Sequence, residues 1–183
     1  MTESNRWFTV LKKQPASIHL SLSMLLGALL PLSFAPFHLW PLAILLPAIL
    51  LMLADSRNTN RQVFFTGWYF GLGYFGFGVY WIYNSLHDFG MAPPLVAGAI
   101  TALMVVSLSV FTGLTLCSWK FIQLRVGSKS IWVVPILWFA FEWFRGWFLT
   151  GMPWLSLGYA FVESPLSGFG PLVGVYGLSA IGV

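Results

Sequence analysis

Charge is scarce in this chain. Only 8% of its 183 residues are Asp, Glu, Lys or Arg, and just five are acidic. Soluble domains carry roughly 25% charged residues, so a soluble globular fold could not cover itself here. That leaves an integral membrane protein. Cysteine is nearly absent too. Cys117 stands alone, which excludes an intrachain disulfide and makes the redox compartment unreadable, and the three histidines fall in no zinc-site spacing. The basic residues form no patch or run of the kind that binds nucleic acid. Internal repeats, low-complexity linkers and a soluble domain are also lacking.

What is present is apolar: 58% of the residues are hydrophobic, and the mean hydropathy is +0.81. A spanning helix needs about 20 mostly apolar residues. Apolar runs predict helices over 16–34, 38–54, 63–83, 95–119 and 131–149, then a broken segment, then a sixth run over 168–183 that is short for a span. The first run follows Lys12 and Lys13, as in a signal peptide. It exceeds the roughly 7–15 residues of a signal-peptide core, lacks a small-x-small cleavage site, and ends between Pro31 and Pro36. A retained first span is expected. The expected fold is therefore an all-α membrane protein, a polytopic bundle of five full transmembrane helices plus a truncated sixth, with a re-entrant or surface loop on the periplasmic side. In this reading residues 1–15 are a cytoplasmic N-terminus, and residues 16–183 are the bundle, incomplete at its C-terminus.

Charge placement carries the topology. Arg6, Lys12 and Lys13 precede the first run, Arg57 and Arg61 separate the second from the third, and Lys120, Arg125 and Lys129 separate the fourth from the fifth. The connections over 35–37 and 84–94 hold no Lys or Arg. Threading the helices alternately puts all these basic residues on one side, which the positive-inside rule makes cytoplasmic. Only Arg145 falls on the other side. The expected location is a bacterial inner membrane, multi-pass, with the N-terminus inside.

Gly67, Gly71 and Gly78 lie on nearly one face of the third run, and Gly98, Ala102, Ser109 and Gly113 do so on the fourth. Small residues let helix backbones approach closely in lipid. They serve either intrachain packing or dimerisation, and intrachain packing is expected. Trp40, Tyr80, Trp81, Tyr83, Trp143, Trp147 and Trp154 gather at the predicted outer boundary. An interfacial aromatic belt and a lipid-binding cleft would use the same residue types.

The segment 142–159 concentrates the remaining chemistry. Glu142 and Arg145 sit three apart in an apolar run, so on a helix they share a face and can pair. Ionisable groups at membrane depth are costly and usually face a bundle interior or polar cavity. One reading is a buried ion pair that fixes helix packing. The other is a platform that anchors a lipid headgroup or docks another domain, for which Arg145 offers a planar fork suited to phosphate. Gly151 and Pro153 then stop regular helix, and irregular backbone at membrane depth requires burial in protein or contact with water. Residues 149–158 are expected to form the re-entrant or surface loop, held at the interface by Trp154.

Elsewhere the chemistry is thin. Cys117 has no acidic neighbour to act as its base and reads as a packing residue. His87 and Asp88 are adjacent on an outer loop, and His19 and His38 are isolated, so structural hydrogen bonding is expected of them. No catalytic residue, cofactor or metal site is assigned.

Four blocks of sequence carry a resemblance. They are Leu32-Ser-Phe-Ala-Pro-Phe-His-Leu-Trp-Pro41, then Gly67-Trp-Tyr-Phe-Gly-Leu-Gly-Tyr-Phe-Gly76 with Tyr80-Trp81-Ile82-Tyr83, then 142–159, and Gly170-Pro-Leu-Val-Gly-Val-Tyr-Gly177. In this order they resemble the N-terminal membrane domain of bacterial apolipoprotein N-acyltransferases. Met152 stands where Phe is common in that family's Thr-Gly-Phe-Pro-Trp block. The resemblance implies transfer of an acyl chain from a membrane phospholipid to the α-amino group of the diacylglyceryl-cysteine of an apolipoprotein. It places a Glu-Lys-Cys catalytic set on a nitrilase-like domain that follows the helices, and no residue of this chain inherits those roles. The chain is expected to be inactive alone and to supply the membrane platform, with Glu142, Arg145 and Trp154 organising it. The rival classes are a small transporter or channel subunit, and a non-catalytic membrane scaffold. A transporter should spread polar residues along the middle of several helices, whereas here they gather at one end.

Overall fold

A computed structural model describes residues 14–183. The basic cluster Arg6, Lys12 and Lys13, and nearly all of the expected cytoplasmic N-terminus, lie outside the described residues. Among the described residues there is no strand. Helix α1 (Ala16–Leu29) passes into a 3-10 turn (Leu30–Ser33), and α2 (Leu42–Asp55) and α3 (Asn60–Gly78) follow. A short α4 (Trp81–Asn84) runs into a π turn (Ser85–Phe89), then come α5 (Pro94–Val126), α6 (Val134–Arg145) and α7 (Gly170–Gly182). Two stretches are long and apolar enough to cross a membrane: Ala16–Ser33, with mean hydropathy 1.6, and Pro94–Val126, with 2.2.

Local chemistry sets the boundaries. Thr59 caps α3 by accepting the Gln62 N–H at 3.3 Å, which satisfies one of the donors a helix start leaves free. Pro93 and Pro94 open α5, where a missing N–H costs nothing, and Gly127 closes it at φ 82°. At about 1.5 Å per residue the 33-residue α5 is about 50 Å long. That exceeds the roughly 30 Å of a hydrocarbon core.

Several expected boundaries move: the second helix begins at Leu42 rather than 38, and the fourth runs on to Val126 rather than stopping at 119. The third helix stops at Gly78 rather than running to residue 83, because the chain turns at Val79–Tyr80 before α4. The fifth stops at Arg145 rather than at 149. Gly146 closes it, and the backbone then enters the left-handed region at Leu149 and Thr150.

Helix α3 is the centre of the bundle, packed against α5 on one side and α1 on the other. Gly67 faces the Thr112–Gly113 backbone, and Gly71 faces Ser109 and Thr112. Gly67, Gly71 and Gly113 therefore serve intrachain packing, as expected, while Gly78 packs against Leu155 and Ala102 is exposed. A second close approach, Gly73 against Met24 and Gly27 against Phe70, brings α1 in. Polar groups point inward there: His19 Nε2 lies 3.0 Å from Thr66 Oγ1, and Ser23 donates to the Thr66 carbonyl at 2.6 Å. Large apolar side chains such as Leu25, Leu95, Leu103 and Ile136 point outward. Soluble proteins do the reverse, since water drives apolar groups inside. Lipid removes that drive and leaves close packing and interhelical hydrogen bonds to hold helices together.

Candidate functional site

The last turn of α6 carries Glu142 and Arg145, both buried, at 8% and 3% exposure. Beyond Gly146 the chain doubles back, with positive φ at Leu149, Thr150, Gly151 and Leu155. Three of these four are not glycine, and each such residue costs on the order of 1–3 kcal/mol unless its surroundings hold it. Glu142 and Arg145 do the holding.

Arg145 is a hub for carbonyl oxygens. Its Nη1 donates to Met152 O at 2.6 Å and to Trp154 O at 2.8 Å. Its Nη2 reaches Leu155 O and Ser156 Oγ, each at 3.3 Å. The guanidinium carbon lies 5.4 Å from the Phe75 ring centroid on α3, within cation–π range. Glu142 works from the other side: its Oε1 accepts the Trp138 Nε1–H at 3.1 Å and the Leu157 N–H at 2.9 Å. Charge-assisted hydrogen bonds of this kind are stronger than neutral ones. Together the two side chains satisfy backbone groups of residues 152–157 that have no helix to satisfy them.

The predicted ion pair does not form. Among the described residues, no Glu142–Arg145 contact falls within 4.0 Å; Glu163 instead meets His38, and Asp55 meets Lys120. The two side chains share a helical face as the spacing implies. The returning loop, however, offers an N–H to the carboxylate and carbonyls to the guanidinium, and each takes the nearer neutral partner. Arg145's fork is thus spent on the loop instead of standing open for a phosphate.

Trp154 is over half exposed. Its indole packs edge-on against Trp81 of α4, centroids 6.3 Å apart, while its carbonyl is held by Arg145. All three predicted residues therefore meet at one loop. Trp143 and Trp147, both exposed, pack edge-on with ring centroids 5.6 Å apart.

Four participants escaped sequence reasoning. Tyr74 donates to Leu155 O at 2.7 Å. Ser156 donates to Pro153 O at 2.9 Å. Ser179 on α7 accepts the Gly158 N–H at 2.7 Å. Trp138 is the fourth, and its position one turn before Glu142 was the only signal available in the sequence. Beside the loop runs an apolar groove of about 630 Å³ between α5 and α6, lined by Met104, Leu108, Phe111, Phe144, Phe148 and Met152, with Arg145 at its wall. Its size and lining suit an acyl chain.

His87 Nδ1 lies 2.9 Å from Ala92 O, His38 Nδ1 lies 3.0 Å from Glu163, and Cys117 is half-buried on α5.

A helical chain with apolar outer faces, carrying a strained loop gripped by buried charges and flanked by a groove of acyl-chain size, defines a membrane-type domain with a built polar site at one end. Comparison with known proteins gives it a family. The family described as apolipoprotein N-acyltransferase N-terminal domain matches residues 26–183, and the chain belongs to it. Similar relatives are the apolipoprotein N-acyltransferases of Coxiella burnetii, 42% identical over 87% of the chain, and of Azotobacter vinelandii, 42% identical over 86%. That of Shewanella oneidensis is 36% identical over 99%. The chain spans about a third of the length of these relatives, 33%, 31% and 35% respectively.

Proposed function

We propose that residues 16–183 are the membrane domain of an apolipoprotein N-acyltransferase in a bacterial inner membrane. In this reading the chain crosses the bilayer with five helices plus a sixth, the N-terminus is cytoplasmic, and residues 146–158 lie on the periplasmic side. The intact enzyme moves an acyl chain from phospholipid to the α-amino group of the diacylglyceryl-cysteine of an apolipoprotein. The nucleophile, base and oxyanion stabiliser of that reaction belong to a nitrilase-like domain, and these 183 residues supply a platform.

The observation that carries this reading is the grip on the loop. A strained segment held by two buried charges, with Trp154 exposed at its crest, is a surface whose shape is set before anything docks on it. Glu142 and Arg145 act as positioning residues: they hold the backbone that presents Trp154, and the groove beside them receives an acyl tail. A transporter or channel reading would place polar side chains along a path through the bundle, whereas Glu142 and Arg145 close on their own loop.

Two measurements test it. The purified chain, mixed with phospholipid and a diacylated lipoprotein, should yield no N-acylated product, and product would overturn the division of labour. In a chimera joining these residues to the remaining two thirds of the Coxiella relative, Trp154→Ala should lower acylation while the protein still folds. Unchanged acylation would remove Trp154 from the platform.

A further inference from the structure

The far end of α3 holds a second cluster of charge that the acyl-transfer reading does not use. There a surface cavity of about 560 Å³ is lined by Arg57, Thr59, Arg61, Gln62 and Thr66, with His19 from α1. Arg57 is about nine-tenths buried, and among the described residues its Nε and one Nη atom find no hydrogen-bond partner. The Nδ1 of His19, itself 1% exposed, also lacks one. Arg61 stands at the rim, its guanidinium carbon 5.9 Å from the Phe65 ring centroid. No carboxylate is among the lining residues described. The nearest in sequence, Asp55, is engaged by Gln123 and Lys120.

A buried guanidinium with two nitrogens left without acceptors is expensive, because their desolvation is uncompensated. Three features of this cavity would be compensated by one kind of ligand. The arginine fork fits the paired oxygens of a phosphate. The start of the 19-residue α3 presents the positive end of its dipole. A partly exposed second arginine adds charge without blocking entry. Basic pockets between membrane helices commonly take anionic headgroups.

We propose that this cavity is a phosphate-binding site, filled by the phosphate of an anionic lipid headgroup or by free phosphate. Arg57 would make the buried contact and Arg61 the rim contact, with the α3 N-terminus completing the pocket. The site lies at the opposite end of α3 from Arg145, so it is separate from the acyl groove, and its failure would leave the acyltransferase reading untouched.

Native mass spectrometry of the detergent-solubilised protein tests this, with phosphatidylglycerol, phosphatidylcholine and inorganic phosphate as probes. Wild type should retain one phosphatidylglycerol in preference to phosphatidylcholine. Arg57→Gln and Arg61→Gln should each weaken retention about tenfold, the loss of one charge-assisted hydrogen bond. Arg57→Lys should restore part of it. Displacement of the lipid by inorganic phosphate would identify the bare anion as the recognised group, and resistance to displacement would identify the lipid. Because Arg61 is exposed, Arg61→Gln should keep its helical circular dichroism and test the site even if Arg57→Gln misfolds. Equal retention of the two lipids, or retention unchanged in folded Arg61→Gln and Arg57→Gln, overturns the proposal.

Discussion

Helix α3 meets a buried arginine at each end, and the two ends solve the same problem differently. Near Phe75, Arg145 is surrounded by acceptors: three loop carbonyls and a serine hydroxyl. Near Thr59, Arg57 has two nitrogens without a partner among the described residues. Both side chains are at least nine-tenths out of solvent. Burial alone therefore does not say whether a charge is a structural member or an open receptor. The deciding fact is whether the fold itself supplies the counter-dipoles. At the α6 end it does, and the loop is rigidly presented. At the α3 start two of the three guanidinium nitrogens stay unpaired among the described residues.

The largest expected effect breaks the first half of this contrast. Arg145→Ala strips the acceptors of residues 152–156 of their donor and should destabilise the protein by about 3–5 kcal/mol, as removing one member of a buried charged network does. Thermal unfolding in detergent micelles would show it, and a loss under about 1 kcal/mol would mean the loop is held by something other than the guanidinium. Arg145→Lys should recover little, since a point charge cannot serve three diverging carbonyls.

Glu142 comes next. Glu142→Ala leaves the Leu157 N–H and the Trp138 indole N–H buried and unpaired, for a cost of about 1–3 kcal/mol per group. Glu142→Gln keeps an acceptor for both and should cost less than half as much by the same unfolding assay. Equal losses in the two variants would show that negative charge, and not hydrogen-bond geometry, is what the site requires.

Arg57 should behave in the opposite sense. In lipid-depleted detergent, Arg57→Gln removes an uncompensated charge and should leave stability unchanged or raise it by up to about 1 kcal/mol. A large loss would place Arg57 in the same class as Arg145 and erase the contrast. Smallest of all is the surface clasp between His38 and Glu163, both substantially exposed. His38→Ala should cost no more than about 1 kcal/mol, with a dependence on salt concentration in the same assay.

Much of this was legible in sequence. Each apolar run that predicted a helix is helical in the structure, because hydropathy and the 3.6-residue period are local properties. The stripes of Gly67, Gly71 and Gly113 implied close helix contact for the same reason, since a missing side chain permits approach whatever the partner. The third helix's end was misplaced because Val79–Tyr80 carries no breaker, and the turn there is imposed by packing. The neighbour of Gly78 was not legible: its place on a helical face is local, but Leu155 arrives from far along the chain. The site was half legible. Glu142, Arg145 and Trp154 drew attention by cost and by composition, and all three converge on one loop. Tyr74 and Ser179 did not, because a hydroxyl in an apolar run gives no hint of which backbone group it will find.

The amino-acid order by itself determined a helical chain with membrane-type hydropathy, its family and the residues where burial would be expensive. These follow from composition and near-neighbour spacing, which the chain carries whether folded or not. The tertiary structure alone decided what Glu142 and Arg145 bind. Helical spacing put them on one face and allowed a pair. The reversal after Gly146 brought residues 152–157 within 2.6–3.3 Å of their polar atoms. Hydrogen bonds are short-ranged and directional, so the partner that arrives in the right geometry takes the bond, and that arrival is set by the path of the chain.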